Sequence, residues 1–438
     1  MTNTAIELNN PKTIRAWCAY DWANSVYSLV ITSAIFPIYY QSITTSATGS
    51  DQVDFFGRQI TNSVLYSYAL SFSFLLITPL LPLLSGIADY AGSKKAFMRF
   101  FCYLGGTACM GMYFFKASTL EWGIFCVVLA SIGYSGSLVF YDAFLPEISS
   151  RDQFDKISAK GYSWGYYGGV VLLIVNLVLI EKHELFFFKS EGDAVRFSFL
   201  LVGVWWIGFA QIPLRLLPEI STGKKGQKNF LKGYEELKKV WNSLKVDRDL
   251  KWYIIAYFFF NMGVQTVMYM AATFGSKELK LEDSKLIATV LLIQLVAALG
   301  AFLFARLSRN IGNKLTLIYM ICFWIVICIA AYFVTTEYQF YFLATAVGLV
   351  MGGIQSLSRA TYAKLIPSNS IDHASYFSFF DAAFNLSIVV GTFSYGFIED
   401  FTGSMRNGNL AIGSFFVIGL VLLTNVRSSA IQSRHDQS

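Results

Sequence analysis

The chain runs to 438 residues, 55% hydrophobic, 17% aromatic and only 14% charged, whereas soluble domains carry about 25% charged residues. That balance, with a mean hydropathy of +0.50, excludes a water-soluble enzyme, and the weak alternation of polar and apolar residues sets aside an outer-membrane barrel. What is left is an all-α polytopic membrane protein: at about 20 residues per span plus short turns, the length holds roughly twelve helices.

Residues 1–16 are polar and contain no apolar run ending at a small-residue cleavage site, so they are expected to stay as a cytoplasmic N-terminal segment. Six spans fall within 17–218, near 17–40, 61–85, 97–115, 121–141, 161–181 and 197–217. Six more fall within 249–427, near 250–273, 286–305, 315–335, 339–358, 375–398 and 409–426, with a polar tail at 428–438. Lipid offers the backbone no water partner, so each run must be a helix that satisfies its own N–H and C=O groups. With both termini inside, 25 of the 34 Lys and Arg residues lie on the inner side, as the positive-inside rule requires. The formal charge of +6 is thereby explained without nucleic acid as a partner.

Span one carries Asp21, Asn24, Ser25, Ser28 and Thr32 every three or four residues, which makes one polar stripe, with Tyr27 beside it. A carboxylate facing lipid is costly, so Asp21 turns to the bundle interior or its aqueous mouth, as a gate, a cap or a solute contact. The loop after span two, GIADYAGSKK, places Asp89 where it can meet positive helix N-termini, Gly92 at a tight turn, and Lys94 and Lys95 as inner-side anchors. Span four offers Ser131, Tyr134 and Ser135, with Tyr141 and Asp142 at its inner end, and span five has Gly161, Gly165, Gly168 and Gly169 as a close-packing face.

The linker, 219–248, is basic, and Leu231, Tyr234, Leu237, Val240, Trp241 and Leu244 recur at helical spacing opposite lysines, the pattern of an amphipathic helix on the inner leaflet. Span seven has Asn261, Gln265 and Tyr269 at i, i+4 and i+8, and Gln294 is a buried amide of span eight. Span ten aligns Gly348, Gly352, Gln355 and Arg359, the arginine suited to snorkelling or an ion pair between halves. Span eleven contributes Asp381 and Asn385; Asp381 is a protonatable candidate or a partner for Arg359. The three histidines, His183, His373 and His435, fall in loops or the tail, and the six cysteines read as reduced packing residues. No Walker loop, zinc-ligand cluster or nucleophile elbow is present, so neither a cofactor nor enzymatic chemistry is expected.

Two markers repeat at nearly one period: Gly92 of GIADYAGSKK and Gly312 of ARLSRNIGNK are 220 residues apart, and Pro146 and Pro367 are 221 apart. That is the signature of two duplicated six-helix bundles. These residues resemble the major facilitator superfamily, whose loop between the second and third spans SGIADYAGSKK follows with one residue fewer after its first glycine. WCAYDWANSVYSLVITSAIFPIYY, YDAFLPEIS, KGYSWGYYGG and GGIQSLSRATYAKLIP more specifically resemble its vacuolar-effluxer branch. The resemblance implies two pseudo-symmetric six-helix bundles around a cavity lined by spans one, four, seven and ten, and a loop latch in which Asp89, Lys94 and Lys95 set the inward/outward equilibrium. It also implies a secondary transporter, and amino-acid export as the substrate class.

Asn24, Tyr27, Ser28, Ser131, Tyr134, Asn261, Gln265, Tyr269 and Gln355 are the candidate solute contacts; Asp21, Asp142, Arg359, Asp381 and Asn385, together with Asp89, Lys94 and Lys95 as the resemblance implies, are candidates for coupling or gating. The expected partners are a small-molecule solute, protons and the lipid bilayer, with the protein a monomer in a bacterial inner membrane. Rival readings are a proton-coupled sugar or drug transporter and a non-transporting receptor or scaffold that uses the linker. Span four has no membrane arginine and span five no antiporter-type proline, so coupling by the superfamily's usual residues is not implied.

Overall fold

The computed structural model describes residues 7–45, 51–218, 230–368, 370–402, 405–428 and 431; the first residues of the N-terminal segment, most of the tail with His435, and linker residues 219–229 lie outside these. Twelve long helices follow in chain order: α1 (Pro11–Thr44), α2 (Asn62–Ala91), α3 (Lys94–Gly111), α4 (Leu120–Asp142), α5 (Phe154–Glu181), α6 (Glu191–Leu216), α7 (Arg248–Leu279), α8 (Asp283–Ile311), α9 (Asn313–Phe333), α10 (Glu337–Leu365), α11 (His373–Thr402) and α12 (Met405–Thr424). Among the described residues, eleven helices are long and apolar enough to cross a membrane. The twelfth, α3, is 18 residues long and begins with Lys94, Lys95 and Arg99. Both described chain ends pack at one end of the bundle: Asn9 N–H donates to the Ile148 carbonyl, and Arg427 holds Asp249 at the start of α7. We call this the terminal end.

The outer surface carries Phe72, Phe125, Val326, Phe397 and many other exposed apolar side chains, as a lipid-solvated protein requires. Within α1–α6, α3 packs on α4 and α1 on α5 and α6; within α7–α12, α8 packs on α10 and α7 on α12. Across the halves, α2 meets α11, and α5 meets α8 and α10. The glycine face of α5 explains one tight contact. A Cβ on Gly168 would lie 2.5 Å from the Trp22 carbonyl oxygen, and one on Gly161 would run into the Asp21 carboxylate. Backbones come this close only where side chains are absent.

Two local features were not expected. Tyr27–Ala34 in the middle of α1 is π-helical, and Ser33 Oγ donates 2.9 Å to the carbonyl of Ser28, five residues back. Pro37 supplies the reason: it lacks an N–H and its ring crowds the carbonyl four residues before it, so the preceding turn widens. Between α1 and α2, β1 (Gln52–Phe55) and β2 (Arg58–Thr61) form an antiparallel hairpin with Phe55 opposite Arg58. Its two-residue turn, Phe56–Gly57, has both φ values positive, as this kind of turn requires.

The linker forms a helix, Phe230–Val246, but it does not simply lie on a leaflet as an isolated amphipathic segment. It packs mainly on α2, with further contact to α11, and Val240 and Leu244 are buried there.

Candidate functional site

A cavity lies between the halves, walled by α1, α4, α5, α7, α10 and α11, with smaller contributions from α2 and α8. Of the expected solute contacts, Asn24, Tyr27, Ser28, Ser131, Tyr134, Gln265, Tyr269 and Gln355 line it. Most are already held in place. Tyr27 and Ser131 hydroxyls bond at 2.7 Å, the Tyr27 and Tyr134 rings sit 4.9 Å apart, and Tyr166 donates to Gln355 Oε1 at 2.7 Å. Asn261 stands apart. It is buried behind the wall, donates to Ser387 Oγ at 2.6 Å and accepts from Gln265 Nε2 at 3.3 Å, so it positions Gln265 and does not itself line the cavity.

The floor at the terminal end is an ion cluster. Arg359 of α10, 2% exposed, donates from Nη1 to Asp142 Oδ1 at 2.9 Å and from Nη2 to Asp21 Oδ2 at 3.4 Å. Its Nε donates to Ser158 Oγ at 2.9 Å. The Tyr141 hydroxyl gives Asp21 a further bond at 2.6 Å. The guanidinium carbon lies 4.7 Å from the Trp17 ring centre and 4.3 Å from that of Tyr162, which stacks the cation between two aromatic faces. Asp21 and Asp142 belong to the first half and Arg359 to the second, so the pair spans the halves. The expected alternative, Asp381 as the partner of Arg359, is not what forms. Asp381 lines the cavity with Oδ2 buried and without a hydrogen-bond partner among the described residues. One turn on, Asn385 Oδ1 accepts weakly from Ser135 Oγ at 3.5 Å while its Nδ2 has no such partner. The Nδ2 of Asn24, in the cavity wall, is in the same position.

Below the floor, two loop systems tie the halves. Gly92 caps α2 in the left-handed region, at φ 59°, where a side chain would be strained. The turn it makes leaves Asp89 facing the start of α11. Asp89 accepts from the backbone N–H of Ala374 at 3.3 Å and of Ser375 at 2.7 Å, and from Ser375 Oγ at 2.8 Å, a carboxylate on a helix N-terminus. Lys94 pairs with Asp89 at 3.1 Å and with Glu147, and reaches the Ile371 carbonyl at 3.5 Å. Lys95, expected in the same latch, donates to Leu217 O at 2.8 Å. The second system inverts the first. In the repeat loop after α8, Ser308 and Asn313 donate to Asp155 of α5 at 2.9 and 2.8 Å, and Lys364 joins at 2.7 Å. Asp155, Glu147, Trp17 and Tyr162 were not singled out from the sequence; the one available signal was that Tyr162 and Tyr166 recur at i, i+4 in the glycine-rich stretch of α5.

Among the described residues, the cross-half hydrogen bonds nearest the far end involve Ser135, Ser163, Tyr166 and Asn385, all near mid-helix; the others lie toward the terminal end. The terminal end is therefore closed. Asp89→Asn is expected to weaken this closure by about 1.5–3 kcal/mol, the worth of hydrogen bonds to a charged acceptor. Faster backbone amide exchange at residues 374–376 measures it.

With this geometry in view, the relatives are informative. The family described as "Vacuole effluxer Atg22 like" matches residues 9–436. An "Uncharacterized MFS-type transporter YxiO" of Bacillus subtilis is 30% identical over 94% of both chains. Autophagy-related protein 22-1 of Aspergillus clavatus is 24% identical, over 87% of this chain and 77% of the fungal one. Among solved structures, a major facilitator superfamily transporter, FucP, captured in the outward conformation, superposes with a TM-score of 0.69 at 12% identity, over 96% of this chain and 99% of that one. The fold is thus the one this superfamily shares.

Proposed function

The chain belongs to the Atg22-like vacuole effluxer family of major facilitator transporters, and from that premise we propose that it carries a small zwitterionic solute, an amino acid by preference, and exports it. One observation carries the substrate class: among the described residues, the unpaired polar side-chain atoms of the cavity lining are of two kinds, a carboxylate oxygen of Asp381 and the amide N–H group of Asn24. A buried polar atom without a partner costs on the order of 1–3 kcal/mol. A solute that brings an ammonium to Asp381 and a carboxylate to the Asn24 amide relieves both costs at once. Tyr27, Tyr134 and Tyr269 then offer faces to its apolar part. The cavity holds three carboxylates, Asp21, Asp142 and Asp381, and one cation, Arg359, an excess of acid that suits the positive end of such a solute.

In the cycle we propose, the terminal end faces the cytoplasm of a bacterial cell, in keeping with the distribution of Lys and Arg, and the structure represents the outward-facing state. Separating α2 from α11 and α5 from α8 at the terminal end, while the far end closes, would turn the cavity inward. Opening the terminal end breaks its buried ion pairs, so solute binding has to supply the difference.

Purified protein in liposomes, screened for counterflow of labelled amino acids, sugars and peptides, tests the reading. Amino-acid flux is expected, and Asp381→Asn is expected to reduce it about tenfold or more, the worth of one charge-assisted hydrogen bond. Flux of sugars only, or an unchanged rate in Asp381→Asn, overturns the assignment. The unpaired carboxyl of Asp381 also favours a second reading, in which it carries a proton; flux that stops when the proton gradient is dissipated, in wild type but not in a residually active Asp381→Asn variant, would establish it.

A further inference from the structure

The helix between the halves has two differently occupied faces. On one, Val240 is 2% and Leu244 7% exposed, packed on the bundle, and Ser243 Oγ accepts from the Tyr376 hydroxyl at 2.9 Å. Tyr376 directly follows Ser375, whose N–H and hydroxyl hold Asp89. The Trp241 ring also lies 5.5 Å from that of Phe379, one turn further along α11. The helix therefore grips the element that must leave α2 when the terminal end opens, and it packs on α2 as well.

On the neighbouring face, Tyr234, Lys238, Trp241 and Lys245 recur at intervals of four, three and four residues, a single stripe. Tyr234 is 57% and Trp241 47% exposed, Lys238 and Lys245 are exposed, and Lys245 Nζ sits 5.1 Å above the Trp241 ring. Aromatic rings and lysines alternating along one helix edge suit the headgroup layer, where the ring takes the apolar side and the ammonium reaches phosphate. Residues 220–246 hold seven lysines and two glutamates, Glu235 and Glu236, so the charge is complementary to an anionic leaflet.

We propose that the linker helix is a lipid-charge sensor: its Tyr234–Lys238–Trp241–Lys245 stripe binds anionic phospholipid headgroups, and through Ser243–Tyr376 this binding holds α11 against α2 and keeps the terminal end closed. The inference rests on the alternating-access reading above and not on the identity of the solute. Lysines near an anionic surface each contribute enough to change a two-state equilibrium several-fold.

The test is hydrogen–deuterium exchange at residues 371–379 of the intact protein in nanodiscs, without solute, comparing phosphatidylcholine with an equal mixture of phosphatidylcholine and phosphatidylglycerol. Exchange is expected to slow about tenfold in the anionic discs. The variant Lys238→Gln with Lys245→Gln should lose most of that slowing while keeping its melting temperature in phosphatidylcholine. Ser243→Ala should keep lipid protection of the linker helix itself but pass less of it to residues 371–379. Equal slowing in wild type and the double glutamine variant overturns the proposal, as does a wild type indifferent to lipid charge. Because exchange reads the gate with no solute present, a wrong solute assignment leaves this result intact, and a failed sensor leaves the flux screen intact.

Discussion

Arg359→Gln is expected to lower the stability of the closed terminal end by about 3–5 kcal/mol, because it removes the cation from buried carboxylates and leaves their charge uncompensated. Two properties make the loss large. The guanidinium is 2% exposed, so water cannot readily replace it, and it serves Asp142, Asp21 and Ser158 at the same time as it stacks on Trp17 and Tyr162. The measurements are thermal melting of the purified protein and reactivity of a cysteine placed in the cavity at position 28, with reagent applied from the terminal side. A lower melting temperature and new reactivity are expected. Arg359→Lys should fall between, since an ammonium keeps the charge but not the planar fork that reaches several acceptors or the stacking surface. Adding Asp142→Asn to Arg359→Gln should recover part of the loss, because one of the uncompensated charges is gone. Wild-type melting and no cavity labelling in Arg359→Gln would show that the cluster does not hold the terminal end.

Gly168→Val is expected to cost about 3 kcal/mol, at the upper end for overpacking, because its Cβ would meet backbone. The nearest atoms are the Trp22 carbonyl oxygen at 2.5 Å and its Cα at 3.1 Å; neither can swing aside as a flexible side-chain tip can. Trp22 is held in turn, its carbonyl accepting from Trp205 Nε1 at 3.2 Å and its ring lying 5.6 Å from that of Trp205. Pushing α1 away from α5 would also disturb Asp21 and Ser25, which face Gly161 and Gly165, so flux should fall with stability. Gly208→Val supplies the comparison: nothing lies within 4 Å of its Cβ position, and its stability should stay within about 0.5 kcal/mol of wild type. Equal melting of the two variants would mean that the α1–α5 contact is looser than described.

Much of the architecture was legible because lipid leaves few choices. Hydrophobic runs of span length have to be helices, and the twelve runs read from the sequence all fall on α1–α12. The short hairpin between α1 and α2 escaped because it lies in a polar loop, where its pairing depends on the Phe56–Gly57 turn and no lipid constraint operates. The π-helical turn in α1 escaped because Pro37 announces a disturbance but not the form it takes.

The site was legible at the level of faces. Periodicity of three and four put Asn24 and Ser28, or Gln265 and Tyr269, on one side of a helix, and these line the cavity. Periodicity cannot distinguish a residue in the wall from one just behind it, and Asn261, on the same stripe as Gln265, turned to Ser387 instead. Nor can it choose among partners. Asp381 was the partner named for Arg359, and Asp142 and Asp21 hold it instead.

By itself, then, the sequence determined that this is a twelve-helix membrane protein built from two related halves, which helix faces are polar, and that Asp89 stands where a helix N-terminus can be met. Hydrophobicity and the helical period act within one segment, and chain order alone preserves them. Which carboxylates hold Arg359 and which face of the linker helix grips α11 were decided only by the tertiary structure. Those choices depend on distances of a few ångströms between segments some 200 residues apart, and electrostatic and hydrogen-bond energies fall off too steeply over such distances for spacing along the chain to fix them.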